Sequence, residues 1–213
     1  MVRNTAVNDG YPCLQWTDEA CVTLESEEEV EAVDDSDGVT TETENAAPNS
    51  GDADNDGTQD SEQNNVSSFI NPVTAQYSVI KVDVACTLSE VSAQDESSQS
   101  VSDSGYNYKS GLVKFTANCG TPGYTTTAQV IVFGATASDL VLRKYNPNTK
   151  AYFSINNATI IDTTIGGKQA ALATYQIIDG GVLDTDGVAN GIIVDPVGLA
   201  SLAVGVPSTG FLR

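Results

Sequence analysis

The chain has 213 residues, 29 acidic against 9 basic, giving a formal charge of −20, and it contains no histidine. Without histidine, no His-based triad, Cys–His dyad, His-ligated zinc site or His-ligated haem can be built. A chain this negative repels phosphate backbones, which argues against nucleic-acid binding, and no run of 18 apolar residues is present to span a membrane.

The charge is concentrated at one end. Residues 1–62 carry 18 Asp and Glu and one basic residue, Arg3, which leaves 11 acids and 8 bases for the rest. A division this sharp predicts a solvated, extended N-terminal region followed by a globular one. The first ten residues lack the apolar core of a signal peptide. Asn8-Asp9-Gly10 reads as a turn and Tyr11–Trp16 as a strand. A piece this short cannot bury its own Tyr11 and Trp16, so residues 1–22 are expected to be the remnant of a larger β-rich domain. The NDGYPxLQW run is similar to the closing stretch of GLUG-type repeats, which build right-handed β-helices in bacterial surface adhesins. Residues 23–68 are acidic and of low complexity, and are expected to form a disordered, self-repelling linker or stalk.

One local motif stands inside that linker. Asp52, Asp54, Asp56 and Asp60 occupy positions 1, 3, 5 and 9 of a loop, with Gly57 at position 6 and Thr58 offering its carbonyl at position 7. Ca²⁺ takes six to eight hard oxygens, and this spacing folds them around one point. Position 12 is Gln63 rather than an acid. The pattern resembles a single thrombospondin type 3 calcium repeat; the alternative is an acidic linker that happens to contain it.

From Phe69 the pattern changes to strands. Ser78–Cys86 alternates with period two, placing Ile80, Val82, Val84 and Cys86 on one face. A polar loop is expected over Glu90–Ser104. Strands are then expected over Gly111–Cys119, Thr125–Phe133, Leu140–Tyr145, Ala151–Ile155, Ala158–Ile161, Ala170–Ile178 and Gly191–Val194, with Pro122-Gly123 and Asn146–Thr149 as turns. About eight short strands without a helical period predict an all-β fold, an antiparallel β-sandwich over residues 69–203.

The four cysteines fall in two pairs without C-x-x-C spacing. Cys86 and Cys119 each close a strand-like run, which makes a cross-strand disulfide reasonable, and Cys13–Cys21 would close a short local loop; buried free thiols are the alternative. A second oxygen-rich cluster, Asp179, Asp184, Asp186, Asn190 and Asp195, is interleaved with glycines. It reads either as a further Ca²⁺ site or as a hairpin loop whose Asp and Asn side chains bond their own backbone.

The runs SGLVKFTANCGTPGYTTTAQVIVFG, LVLRKYNPNTKAYFSI and TYQIIDGGVLDTDGVANGIIVDPVGLA, taken in order, resemble the choice-of-anchor U domain of bacterial cell-surface proteins over about residues 76–200. That resemblance implies a module placed beside wall- or membrane-anchoring tails, with no known catalysis. Val206, Pro207, Ser208, Thr209 and Gly210, in the tail 204–213, resemble the sortase sorting motif L-P-x-T-G with valine first. The apolar span and basic tail of a full signal do not follow, so the chain reads as a fragment.

Together these readings predict a non-enzymatic surface module, the wall-proximal end of an adhesin-like protein. Its partners would be sortase and cell-wall peptidoglycan, with a surface ligand on a host or neighbouring cell. The alternative is a Ca²⁺-dependent carbohydrate- or protein-binding module, with Tyr106, Tyr108, Tyr124 and Tyr152 as a stacking platform.

Overall fold

A computed structural model describes residues 35–203. The expected remnant 1–22, the first part of the linker, the Cys13–Cys21 pair and the sorting motif at 206–210 lie outside the described residues.

Among the described residues one short helix, α1 (Thr41–Asn45), precedes eleven strands: β1 (Val66–Ile70), β2 (Tyr77–Lys81), β3 (Thr87–Gln94), β4 (Tyr106–Asn107), β5 (Leu112–Asn118), β6 (Thr125–Phe133), β7 (Leu140–Asn146), β8 (Ala151–Ser154), β9 (Thr159–Ile165), β10 (Lys168–Ile178) and β11 (Ile192–Leu202). They form two antiparallel sheets. One is ordered β1-β2-β6-β10-β9; the other is ordered β3-β5-β11-β7-β8, with β4 on β11. The expected all-β sandwich is therefore present.

Period-two alternation decides what lies between the sheets. From the five-stranded sheet, Phe69, Ile80, Val130, Val132, Ala173, Tyr175 and Ile177 point inward; from the other come Leu88, Val113, Phe115, Leu142, Ile193, Val197 and Leu199. Cys86 and Cys119 are joined by a disulfide, one residue beyond the paired Thr87 and Asn118 at the end of the β3–β5 ladder.

Besides an unexpected short β4 and a β9 that runs to Ile165 rather than Ile161, three elements differ from the sequence reading for a clear physical reason. The Ser78–Cys86 run is a strand only as far as Lys81. Residues 83–86 turn, with the Cys86 N–H on the Asp83 carbonyl, because the chain there crosses from one sheet to the other; Val84 is left 87 % exposed. The expected Glu90–Ser104 loop begins as part of β3. The β3–β5 register shifts between Ser89 and Ser92, with Glu90 at φ 54°, so the buried positions run Leu88 then Val91 and the alternation is broken. β11 continues eight residues past Val194, through Pro196. There β11 pairs with β5 alone, since β7 joins only from Val197, so the proline's missing donor is tolerated.

The greatest departure is the acidic segment. Residues 35–68 are folded rather than linker-like, and β1 starts at Val66 rather than Phe69. Ala47, Ala53 and Val66 pack with Val79, Ile131, Phe133, Ile165 and Ala170. These last five residues lie on the outer face of the five-stranded sheet, so residues 40–65 form a cap over it. Of the few apolar residues in this mostly polar segment, Ala47 and Ala53 settle on that outer face, whereas Val39 packs into the core between the sheets. Tyr77 donates its hydroxyl hydrogen to the Thr43 carbonyl, fixing α1 to β2.

Candidate metal centre

The cap is short of apolar side chains and is organised by hydrogen bonds to its own carboxylates. In the 52–60 loop, Asp52 accepts from the backbone N–H of Asp56 (2.9 Å) and of Gly57 (3.2 Å). Asn55 and Gly57 take positive φ, 61° and 97°, which bends the chain around the acids. Asp60 is fully buried and accepts the Ala53 N–H on both oxygens, at 3.1 Å each. The result gathers one oxygen each of Asp52, Asp54 and Asp60 within 4.8 Å of one another.

One of the expected ligands is placed differently. Asp56 is turned outward to Lys81, at 2.8 Å, while its other oxygen accepts the Thr58 N–H. Lys81, from β2, also reaches Asp54 at 2.5 Å. A lysine ammonium thus supplies cationic charge on one flank of the loop and touches one member of the converging group, Asp54, while Asp60 is buried in the cap. The Lys81 hydrogen bond holds Asp56 below the usual carboxylate range, whereas burial raises Asp54 in spite of the same lysine.

A second acidic group adjoins the first. Asp35, Asp37 and Glu44 bring one oxygen each within 4.8 Å. Asp37 accepts the Val39 N–H (2.6 Å), and its carbonyl takes the Val91 N–H, tying this stretch to the bulge of β3. Glu44, 1 % exposed, accepts the Ser68 N–H at 3.2 Å. Sequence reading placed these three residues in the linker. The signal was there: Asp35-Ser36-Asp37-Gly38 repeats Asp54-Asn55-Asp56-Gly57 nineteen residues earlier, and Glu44 falls where the later copy has Gln63.

The electrostatics of the two groups are those of a crowded, dehydrated anionic centre. Burial, reinforced by Asp37, pushes the Glu44 carboxyl up to about 9. Burial also pushes Asp60 up to about 7, with Asp54 adding to it and the Ala53 N–H working against it. Carboxyls in this position either hold a proton or share a cation, because an isolated buried charge is too costly. Hard oxygens at this density fit Ca²⁺ chemically.

The second expected cluster is built otherwise. Asp179 accepts from the backbone N–H of Gly123 (2.7 Å), Gly191 (2.8 Å) and Asn190 (3.3 Å). Burial works against its charge, but these backbone donors outweigh it and its carboxyl lies below the usual range. Asp184 accepts from Gly180 and Val194; Asp186 accepts from the Val188 N–H and from the Asn190 side chain. Asp179 staples the β10–β11 connection to the β5–β6 turn, and Asp184 and Asp186 tie that connection to itself and to β11. Asp195 does not join them. Strand alternation turns it into the core, where its partners are Lys144 and Tyr175.

The tyrosines do not form an open platform. Tyr106, Tyr108 and Tyr152 cluster with Tyr145 over the outer face of the six-stranded sheet, and Tyr108 is 9 % exposed. Arg143 stacks 3.9 Å from the Tyr106 ring centre and pairs with Asp103, which also takes the Tyr108 hydroxyl. Tyr124 lies elsewhere, against the sandwich core. No helix among the described residues is long and apolar enough to cross a membrane. No protein-family model, curated protein or solved structure matches the chain.

Proposed function

We propose that this chain is a non-catalytic, extracellular structural module of a bacterial cell surface, and that its acidic cap is a Ca²⁺-operated clasp on the sandwich. The observation that carries this reading is the convergence of Asp52, Asp54 and Asp60, beside buried Glu44, between a polar segment and the apolar sheet face beneath it. In this reading Ca²⁺ replaces the protons that Asp60 and Glu44 otherwise hold, and the charge it neutralises allows the cap to stay closed. The disulfide suits an oxidising compartment. The V-P-S-T-G run at 206–210 supports anchoring: sortase would take the Thr209 carbonyl as acyl donor and release Gly210, making the chain a substrate rather than an enzyme.

Two separate experiments test the two halves. Calorimetric titration of Ca²⁺ into the EDTA-stripped chain is expected to show saturable binding near 10⁻⁴ M, on the order of extracellular sites, and Asp60→Asn is expected to weaken it. Absence of binding sinks the clasp. Incubation with a sortase and a glycine-based amine acceptor is expected to transfer the chain at Thr209, and an intact chain would sink the anchoring half.

A further inference from the structure

The interior of the sandwich contains a polar trio that neither the clasp nor the anchoring motif uses. Lys144 on β7 and Asp195 on β11 are each fully buried. Val197 is paired across the ladders with both Lys144 and Val113, and Asp195 is paired with Phe115. Lys144 and Asp195 are therefore diagonal neighbours on the inner face of one sheet, within a layer of Val113, Phe115, Ile193 and Val197. The Lys144 Nζ lies directly on Asp195 Oδ1. From the opposite sheet, Tyr175 on β10 donates its hydroxyl hydrogen to Asp195 Oδ2 at 2.5 Å.

An ion pair in this position is a poor stabiliser. Removing both charges from water costs more than a packed apolar pair would, and mutual attraction only offsets that cost. The Nζ–H···Oδ1 contact is itself the path for a proton from the ammonium to the carboxylate, a transfer that leaves a free amine against a carboxylic acid. A free amine is a nucleophile, and the pair is already held in contact, which removes the entropic barrier of bringing them together. Burial, with Asp195 beside it, holds the Tyr175 phenol well above its ordinary range, so it remains a donor. Its hydrogen bond falls on the oxygen that would carry charge in a tetrahedral intermediate.

We propose that Lys144 and Asp195 condense into an intramolecular isopeptide bond, Nζ to Cγ, with Tyr175 as the hydrogen-bond donor to the intermediate. The ammonium first gives a proton to the carboxylate. The Nζ lone pair then forms the new bond to Cγ, and the carbonyl electron pair moves onto Oδ2, held by the Tyr175 hydroxyl. Nitrogen gives up a second proton to the Oδ1 hydroxyl, the carbonyl re-forms at Oδ2, and Oδ1 departs as water. One ammonium and one carboxylate thus give one amide and one water, with no redox change and no added reactant. The product is uncharged and suits the apolar layer better than the pair it replaces. Reversal needs water, which the core excludes. The cross-link bolts β7 to β11 in the sheet that already carries the Cys86–Cys119 bridge.

The test is the intact mass of the purified full chain after reduction. The expected mass is lower than the sequence mass by one water. A tryptic digest is expected to yield a branched peptide joining residues 144–150 to residues 169–213, with cleavage after Lys144 abolished. Lys144→Met is expected to restore the full sequence mass, and Tyr175→Phe to leave a larger unlinked fraction at equal times after synthesis. A wild-type chain at full mass overturns the proposal without recourse to any variant. So does a one-water deficit that survives in Lys144→Met, which would place the dehydration elsewhere, as at an Asp–Gly pair.

Discussion

Lys81 and Asp60 show how much the neighbours of a carboxyl decide its role. Asp54 and Asp56 share one ammonium, whereas Asp60, eight positions after Asp52, is sealed under the cap with backbone donors alone on its oxygens. Lys81 competes with any divalent cation for Asp54. Lys81→Met is therefore expected to tighten Ca²⁺ binding about fivefold, the equivalent of on the order of 1 kcal/mol of removed repulsion. Unchanged or weaker binding by calorimetry would show that the cation sits away from Asp54. Asp179 offers the contrasting case. Its oxygens are occupied by the backbone of two connections, so Asp179→Ala is expected to lower the melting temperature while leaving Ca²⁺ affinity where it was. A loss of affinity in that variant would return the 179–190 loop to the list of metal sites.

At the level of elements, the cap meets the sandwich at a hairpin. Gly166 and Gly167 connect β9 to β10 with φ 54° and 76°, a turn that suits glycine or asparagine. Space distinguishes them. A Cβ at Gly166 would come within 2.8 Å of the Asn49 backbone nitrogen, whereas one at Gly167 meets nothing within 4 Å. Gly166→Asn is expected to push the cap off the sheet, destabilising the protein by about 1–3 kcal/mol and weakening Ca²⁺ binding with it. Gly167→Asn is expected to be nearly neutral by both measures. Equal behaviour of the two variants in thermal melts would mean that the cap does not rest on this hairpin.

Across the whole molecule, both outer faces of the sandwich are covered. The acidic segment lies over the five-stranded sheet, and the tyrosine cluster with the Asp103–Arg143 pair lies over the six-stranded one. The cap carries a global pH dependence. Glu44 and Asp60 have folded values raised to about 9 and about 7, above their ordinary 4.5 and 3.8. Between the ordinary and raised values the folded state binds more protons than the unfolded one, so their contribution is complete below about 4 and is lost as pH rises toward 9. In EDTA the melting temperature is expected to fall from pH 5 to pH 9. Ca²⁺ at a hundredfold excess over its dissociation constant is expected to add about 2.7 kcal/mol and to flatten that fall. An EDTA profile that rises over this range would contradict the buried protonated acids. The disulfide acts on the same global stability. It closes a separation of 33 residues, so its removal by Cys86→Ala with Cys119→Ala is expected to cost about 3 to 4 kcal/mol in denaturant titrations.

The chain order alone placed β5, β6, β7, β8 and β10, where apolar-rich runs lie between turns marked by glycine, proline and asparagine and local physics is consistent with global packing. It sufficed too for the Cys86–Cys119 bridge and for the convergence of Asp52, Asp54 and Asp60, though not for Asp56, which Lys81 of a separate strand draws outward. Tertiary structure decided what alternation and composition hide. The bulge at Glu90 broke the period of β3, and the inward charges of Lys144 and Asp195 disguised core positions. The acidic segment has too few apolar residues to fold on its own; Ala47 and Ala53 become part of a core only because an apolar sheet face lies beneath them. That face is assembled from β2, β6, β9 and β10, which meet only in the folded sheet, so no local window of sequence contains it.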